Sequence, residues 1–135
     1  MFTTQQAMKL TGLTHRKIMY ILEKNLVNKE TIRGKRTYFT FSELLELKII
    51  AKLRKTCSLQ QLNKLKFFLT DIGLTSDLRD KTLLIDGNEV YLVKNENMTY
   101  FFIQLTGKHQ GQMAHPIILG MEEIIDELEE NAVKN

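Results

Sequence analysis

Three segments of this chain share one short pattern: TTQQ (Thr3 to Gln6), TFSE (Thr40 to Glu43) and SLQQ (Ser58 to Gln61). A Ser or Thr three residues ahead of a Glu or Gln is a capping box. The two side chains satisfy each other's free backbone N–H groups and fix a helix start to one residue. Thr14, just after Gly12 and Leu13, can cap a further helix. Apolar residues then recur at helical spacing: Ile18, Ile21 and Leu22 in the second helix, and Leu62, Leu65 and Leu69 in the fourth. The third carries Leu45, Ile49 and Leu53, with Leu44, Leu47 and Ile50 broadening the stripe.

The first two helices are joined by very few residues. Ala7 is small enough for the second helix to approach, and Gly12 can take the positive φ of a sharp turn. This is helix-turn-helix logic, although an ordinary helical hairpin uses the same two residues. Next comes KETIRGKRTYF, residues 29–39, which reads as two short strands around Gly34 and Lys35. Glycine first in a two-residue loop suits a type II′ hairpin. Arg33, Lys35 and Arg36 crowd its tip, where they would be exposed and mobile, so the hairpin reads as a wing rather than a solvated turn with incidental charge. The start of the second helix adds His15, Arg16 and Lys17 to the same unit.

The overall charge of +3 conceals a split. Residues 1–70 hold fourteen Lys or Arg against four Asp or Glu, a net of +10, whereas residues 71–135 hold five against twelve, a net of −7. That segregation points the first half, and not the second, toward a polyanion.

At this point the chain resembles the MerR-like winged-helix transcriptional regulators, over about residues 2–70. The residues concerned are FTTQQAMKLTGLTHRKIMYILEKNLV and RGKRTYFTFSELLELKIIAKLRKTCSLQQLNKLKFFL. Ala7, Gly12, Thr14, Ile18 and Tyr20 fit the family pattern, and Arg36 with Tyr38 resembles its Arg-x-Tyr wing exit. Lys17, Met19 and Ile21 stand where threonine, arginine and a second aromatic are usual, so one expected DNA contact is missing. The resemblance implies double-stranded DNA as partner, with Arg16, Lys17, Tyr20 and Arg36 carried over as contacts.

A recognition helix in the major groove reads base edges with its first residues. Arg16 is the best base reader, because a guanidinium pairs with guanine O6 and N7 in two parallel bonds. Lys17 and His15 can reach a base or a phosphate. Tyr20 touches backbone or is half-buried and structural. The wing cations grip phosphate and set position rather than sequence choice. Lys52, Arg54 and Lys55 either extend this surface or form a solvated helix face.

Residues 71–81 read as a connector, and residues 82–135 as a small α+β domain. TLLI and EVYLV flank Asp86-Gly87-Asn88, a hairpin signal, and NEN at 95–97 reads as the next turn. MTYFFIQL, Met98 to Leu105, reads as a strand, with YFFI buried on both faces by the domain's own helix and a partner, or simply central in a small core. PIIL and a helix from about Met121 to Glu130 follow, with Met121, Ile124, Ile125 and Leu128 as its apolar stripe. The expected class is therefore α+β: a winged helix-turn-helix of four helices, then a small antiparallel sheet with a covering helix. The fourth helix ends near Leu69, too early for the long coiled coil of the best-known MerR-like proteins. Short MerR-like proteins with an α+β tail, some resembling antitoxins, look similar to this tail.

Other chemistries find no support. There is no glycine-rich phosphate loop, catalytic carboxylate pair or nucleophile elbow, so an enzyme is not expected, and neither is a cofactor. His109 and His115 lack further ligands at metal spacing. Cys57, the single cysteine, suits a buried position in a reducing cytoplasm. No apolar run approaches the roughly 18–20 residues that span a membrane, and the N-terminus does not read as a signal peptide. The leading expectation is a homodimeric repressor or autoregulator on a short inverted repeat. The alternative is an antitoxin or adaptor whose acidic second half binds a protein partner. A ligand sensor comes third, without a convergent polar cluster to support it.

Overall fold

A computed structural model of the 135-residue chain describes residues 1–27, 32–33, 36–108 and 115–134, with the backbone alone at 32, 33, 36 and 134. The winged unit comprises β1 (Phe2–Thr3), α1 (Thr4–Thr11), α2 (His15–Glu23), β2 (Ile32–Arg33), β3 (Arg36–Phe39), α3 (Phe41–Leu53) and α4 (Leu59–Ile72). A 3-10 turn (Ser76–Asp80) leads into β4 (Lys81–Asp86) and β5 (Glu89–Lys94). A second 3-10 turn (Asn95–Asn97) then precedes α5 (Met98–Lys108), β6 (Ile117–Gly120) and α6 (Met121–Lys134).

The capping chemistry sets the helix starts as expected. Thr3 with Gln6, Thr40 with Glu43 and Ser58 with Gln61 form reciprocal boxes, and Thr14 Oγ1 accepts from the Lys17 amide at 3.2 Å. Gly12 closes α1 at φ +73° and its N–H donates to the Met8 carbonyl, which turns the chain into α2 within three residues. Ala7 is fully buried where the two helices meet.

The wing is a hairpin of β2 and β3 in the register Ile32↔Thr37 and Arg33↔Arg36. That register leaves two residues for the loop, while Gly34 and Lys35 themselves lie outside the described residues. β1 adds a strand that sequence patterning did not show, pairing Phe2↔Phe39 and Thr3↔Tyr38 and tying the N-terminus to the wing.

The second sheet has the order β5-β4-β6, antiparallel throughout. Gly87 at φ +60° opens the β4–β5 turn. Leu83 and Ile85 face the main core, and the fully buried Leu84 faces the other way.

The segment read as a strand, Met98 to Leu105, is the helix α5. Its aromatic and β-branched residues favour extended chain locally, but the tertiary environment rewards a different spacing. Met98, Phe101, Phe102 and Leu105 recur at i, i+3, i+4 and i+7 and are the half-buried or buried residues of the helix. Phe101 meets Tyr91 of β5 edge-to-face, with ring centroids 5.0 Å apart. Tyr100 and Ile103, expected inside, are 66% and 65% exposed. Smaller differences are that α4 runs on to Ile72, that the connector contains a 3-10 turn, and that α6 runs on to Lys134.

One hydrophobic core extends from Ala7 through Ile49 and Leu83 to Leu128, so the winged unit and the second half share an interior. Each fully buried Leu or Ile contributes roughly 1.5–3 kcal/mol. α6 lays Met121, Ile124, Ile125 and Leu128 into this core against α1 and α3. The Asn131 side-chain amide donates to the Leu10 carbonyl at 2.9 Å. Arg79, just ahead of β4, pairs with Asp126 and Glu129 on the same helix.

Candidate nucleic-acid interface

The geometry of α2 follows from its two buried residues. Ile18 and Ile21 are fully buried, and at 100° per residue this turns Arg16 and Tyr20 outward. Lys17 then points toward the end of α3, and His15 and Met19 toward the wing. His15, Arg16 and Lys17 are all exposed, and Tyr20 is 41% exposed. Thr14, the cap, is exposed at the tip of the same helix.

On the wing side, His15 and Met19 line a cleft of about 490 Å³ with Thr3, Thr37 and Tyr38. Tyr38 is half-buried there, held by the pairing of β3 with β1. β2 and β3 bring Arg33 and Arg36 directly opposite each other at the base of the loop. Their side chains, and Lys35 entirely, lie outside the described residues.

On the other side, the end of α3 contributes more than its sequence indicated. The Arg54 guanidinium lies 4.5 Å from the centre of the Tyr20 ring, and the Lys24 ammonium 5.8 Å from it. Such contacts contribute on the order of 0.5–1 kcal/mol at exposed sites, so Tyr20 orients cations as well as presenting its own hydroxyl. Lys17, Lys48, Lys52, Arg54 and Lys55 line a cleft of about 250 Å³ together with Glu127 of α6. Glu127 Oε2 is 2.9 Å from Lys48 Nζ, and its Oε1 is 3.9 Å from Lys52 Nζ. The hydrogen bond from Lys48 holds the Glu127 carboxyl below its usual range, against a smaller opposing effect of burial.

Lys48 and Glu127 were not legible as site residues. Lys48 precedes Lys52 by one helical turn, which places both on one face, but only the arrival of α6 shows that Lys48 is buried and paired. Cys57 is buried between α3 and α4, and burial pushes its thiol up. His115 is exposed, while His109 lies outside the described residues. No helix among the described residues is long and apolar enough to cross a membrane.

Residues 2–57 match the family model described as MerR HTH family regulatory protein. This part of the chain is a MerR-type helix-turn-helix domain, a DNA-binding module of transcription regulators. No curated protein matches the chain.

Proposed function

We propose that this protein is a sequence-specific transcriptional regulator that binds a short inverted repeat as a dimer. The observation that carries this is the outward row of Arg16 and Tyr20 on α2, flanked by exposed His15 and Lys17 and continued by Arg54. Inserted in the major groove, α2 presents Arg16 to a guanine edge, with Lys17 and His15 beside it. Arg33, Lys35 and Arg36 of the wing hold phosphates on one side, and Lys52, Arg54 and Lys55 hold them on the other.

Two-fold symmetry comes through the second half, where α5 leaves Tyr100 and Ile103 exposed and β6 leaves Ile118 exposed. The protein acts on DNA in the cytoplasm. The antitoxin or adaptor reading keeps less support, because three of the α6 carboxylates are engaged within the chain. Asp126 and Glu129 pair with Arg79, and Glu127 pairs with Lys48. Glu122, Glu123 and Glu130 stay exposed for a partner.

The test is selection of binding sites from random duplex DNA by the full chain. A recovered inverted repeat, with half-sites about one helical turn apart or a multiple of it, supports the proposal. Recovery of no consensus contradicts it.

A further inference from the structure

The cleft between the start of α2 and the end of α3 holds five cations and one carboxylate. Lys48 is only 6% exposed, and besides Glu127 it donates to the Thr11 carbonyl at 3.4 Å. An ammonium withdrawn from water needs an anion beside it, and here the chain supplies that anion from α6. One carboxylate does not balance the cleft. Among the described residues, Lys17, Arg54 and Lys55 have no carboxylate partner, and the space beside Glu127 has room for a phosphate or diphosphate group. Neither Glu127 nor Lys52 is locked in place, their side chains being 40% and 38% exposed.

We infer that this cleft is a phosphate-binding site and that Glu127 is its built-in competitor. In the absence of a phosphate the carboxylate holds Lys48 and Lys52. An arriving phosphate is bound by Lys17, Arg54 and Lys55 and draws Lys52 away from Glu127. α6 thereby lowers the affinity of the surface beside α2 for phosphate groups. The phosphate belongs either to a DNA backbone or to a free polyphosphate compound, and only the first source rests on the DNA-binding function proposed above.

The test uses the full chain and pyrophosphate as probe, followed by amide chemical shifts at Lys17 and Arg54. Wild type is compared with Glu127→Gln and with Glu122→Gln, which removes the same charge from an exposed position on the same helix. Glu127→Gln is expected to bind pyrophosphate roughly three- to tenfold more tightly than Glu122→Gln, because a like charge leaves the site itself. Should the unpaired Lys48 unfold that variant, the same ratio is measured between Lys48→Met and Lys48→Met with Glu127→Gln. In that background no buried ammonium requires a counter-ion.

A parallel gain in DNA affinity, with a salt slope steeper by about one unit, identifies the DNA backbone as the source. A gain confined to pyrophosphate identifies a free polyphosphate compound. A ratio near one, or shifts that bypass Lys17 and Arg54, overturns the inference. Failure of the wild type to bind any DNA contradicts the proposed function alone, since the pyrophosphate measurement contains no DNA.

Discussion

In the proposed mode of binding, Arg16 and Lys35 have different parts that single substitutions separate. Arg16 leaves α2 on the face opposite Ile18 and Ile21, and no carboxylate among the described residues restrains it. Arg16→Ala is expected to cost roughly 1–3 kcal/mol of DNA affinity and to relax preference at one base pair. A panel of single-base operator variants measured against both proteins checks this. Lys35→Ala should instead weaken binding to every sequence alike and reduce the salt slope by about one unit. If the two variants behave identically across that panel, the division between base reader and phosphate gripper is wrong. The capped, exposed basic start of α2 was legible because the Thr14 cap, the Gly12 turn and the Ile18 and Ile21 spacing are local signals. Arg54 was not, because its stacking on Tyr20 depends on how α3 crosses α2, which no local pattern encodes.

The elements differ in how much of them a linear pattern reveals. α1, α3 and α4 begin with side chains that bond to neighbours three residues away, so their starts are local facts. α5 is the opposite case. YFFI favours a strand by composition, whereas the i, i+3, i+4, i+7 spacing from Met98 to Leu105 is the helical signal that the fold follows. Leu105→Ala is expected to cost about 2–5 kcal/mol, as for a large side chain deleted from a core, and denaturant unfolding measures it.

α3 carries a different liability in Glu46, which is 6% exposed. Burial, and secondarily the neighbouring Glu43, push its carboxyl up to about 7, against an opposing pull from Lys66. A carboxyl raised in the folded state favours folding most when protonated. Its contribution is complete below the unfolded value near 4.5 and is lost as pH rises through about 7. Stability should therefore fall between pH 5 and pH 7.5 on account of this group, by on the order of 2 kcal/mol. Glu46→Gln should flatten that fall and raise stability at pH 8, as read by urea denaturation across the pH range. An unchanged slope in the variant would remove Glu46 as its cause.

At the scale of the whole molecule, the charge split visible in the sequence has two destinations. Part of the acid in the second half turns inward, onto Arg79, Lys48 and Lys52, and helps dock α6 against α1 and α3. On the other side, Lys17, Arg54 and Lys55, which have no carboxylate partner among the described residues, gather between α2 and the end of α3. The sequence could show the imbalance but not this internal pairing, because partners such as Lys48 and Glu127 are far apart along the chain. The proposed two-fold contact through Tyr100 and Ile103 belongs to the same scale. Tyr100→Glu combined with Ile103→Glu is expected to turn a dimer into a monomer in sedimentation velocity, with the fold intact by circular dichroism. A dimer that survives both changes is held together elsewhere. The most direct measurement is fluorescence anisotropy of the full chain against DNA from upstream of its own gene and a scrambled duplex, at several salt concentrations. Tighter binding to the upstream DNA, with steep salt dependence, is the expected result. Weak and equal binding to both would contradict sequence-specific regulation.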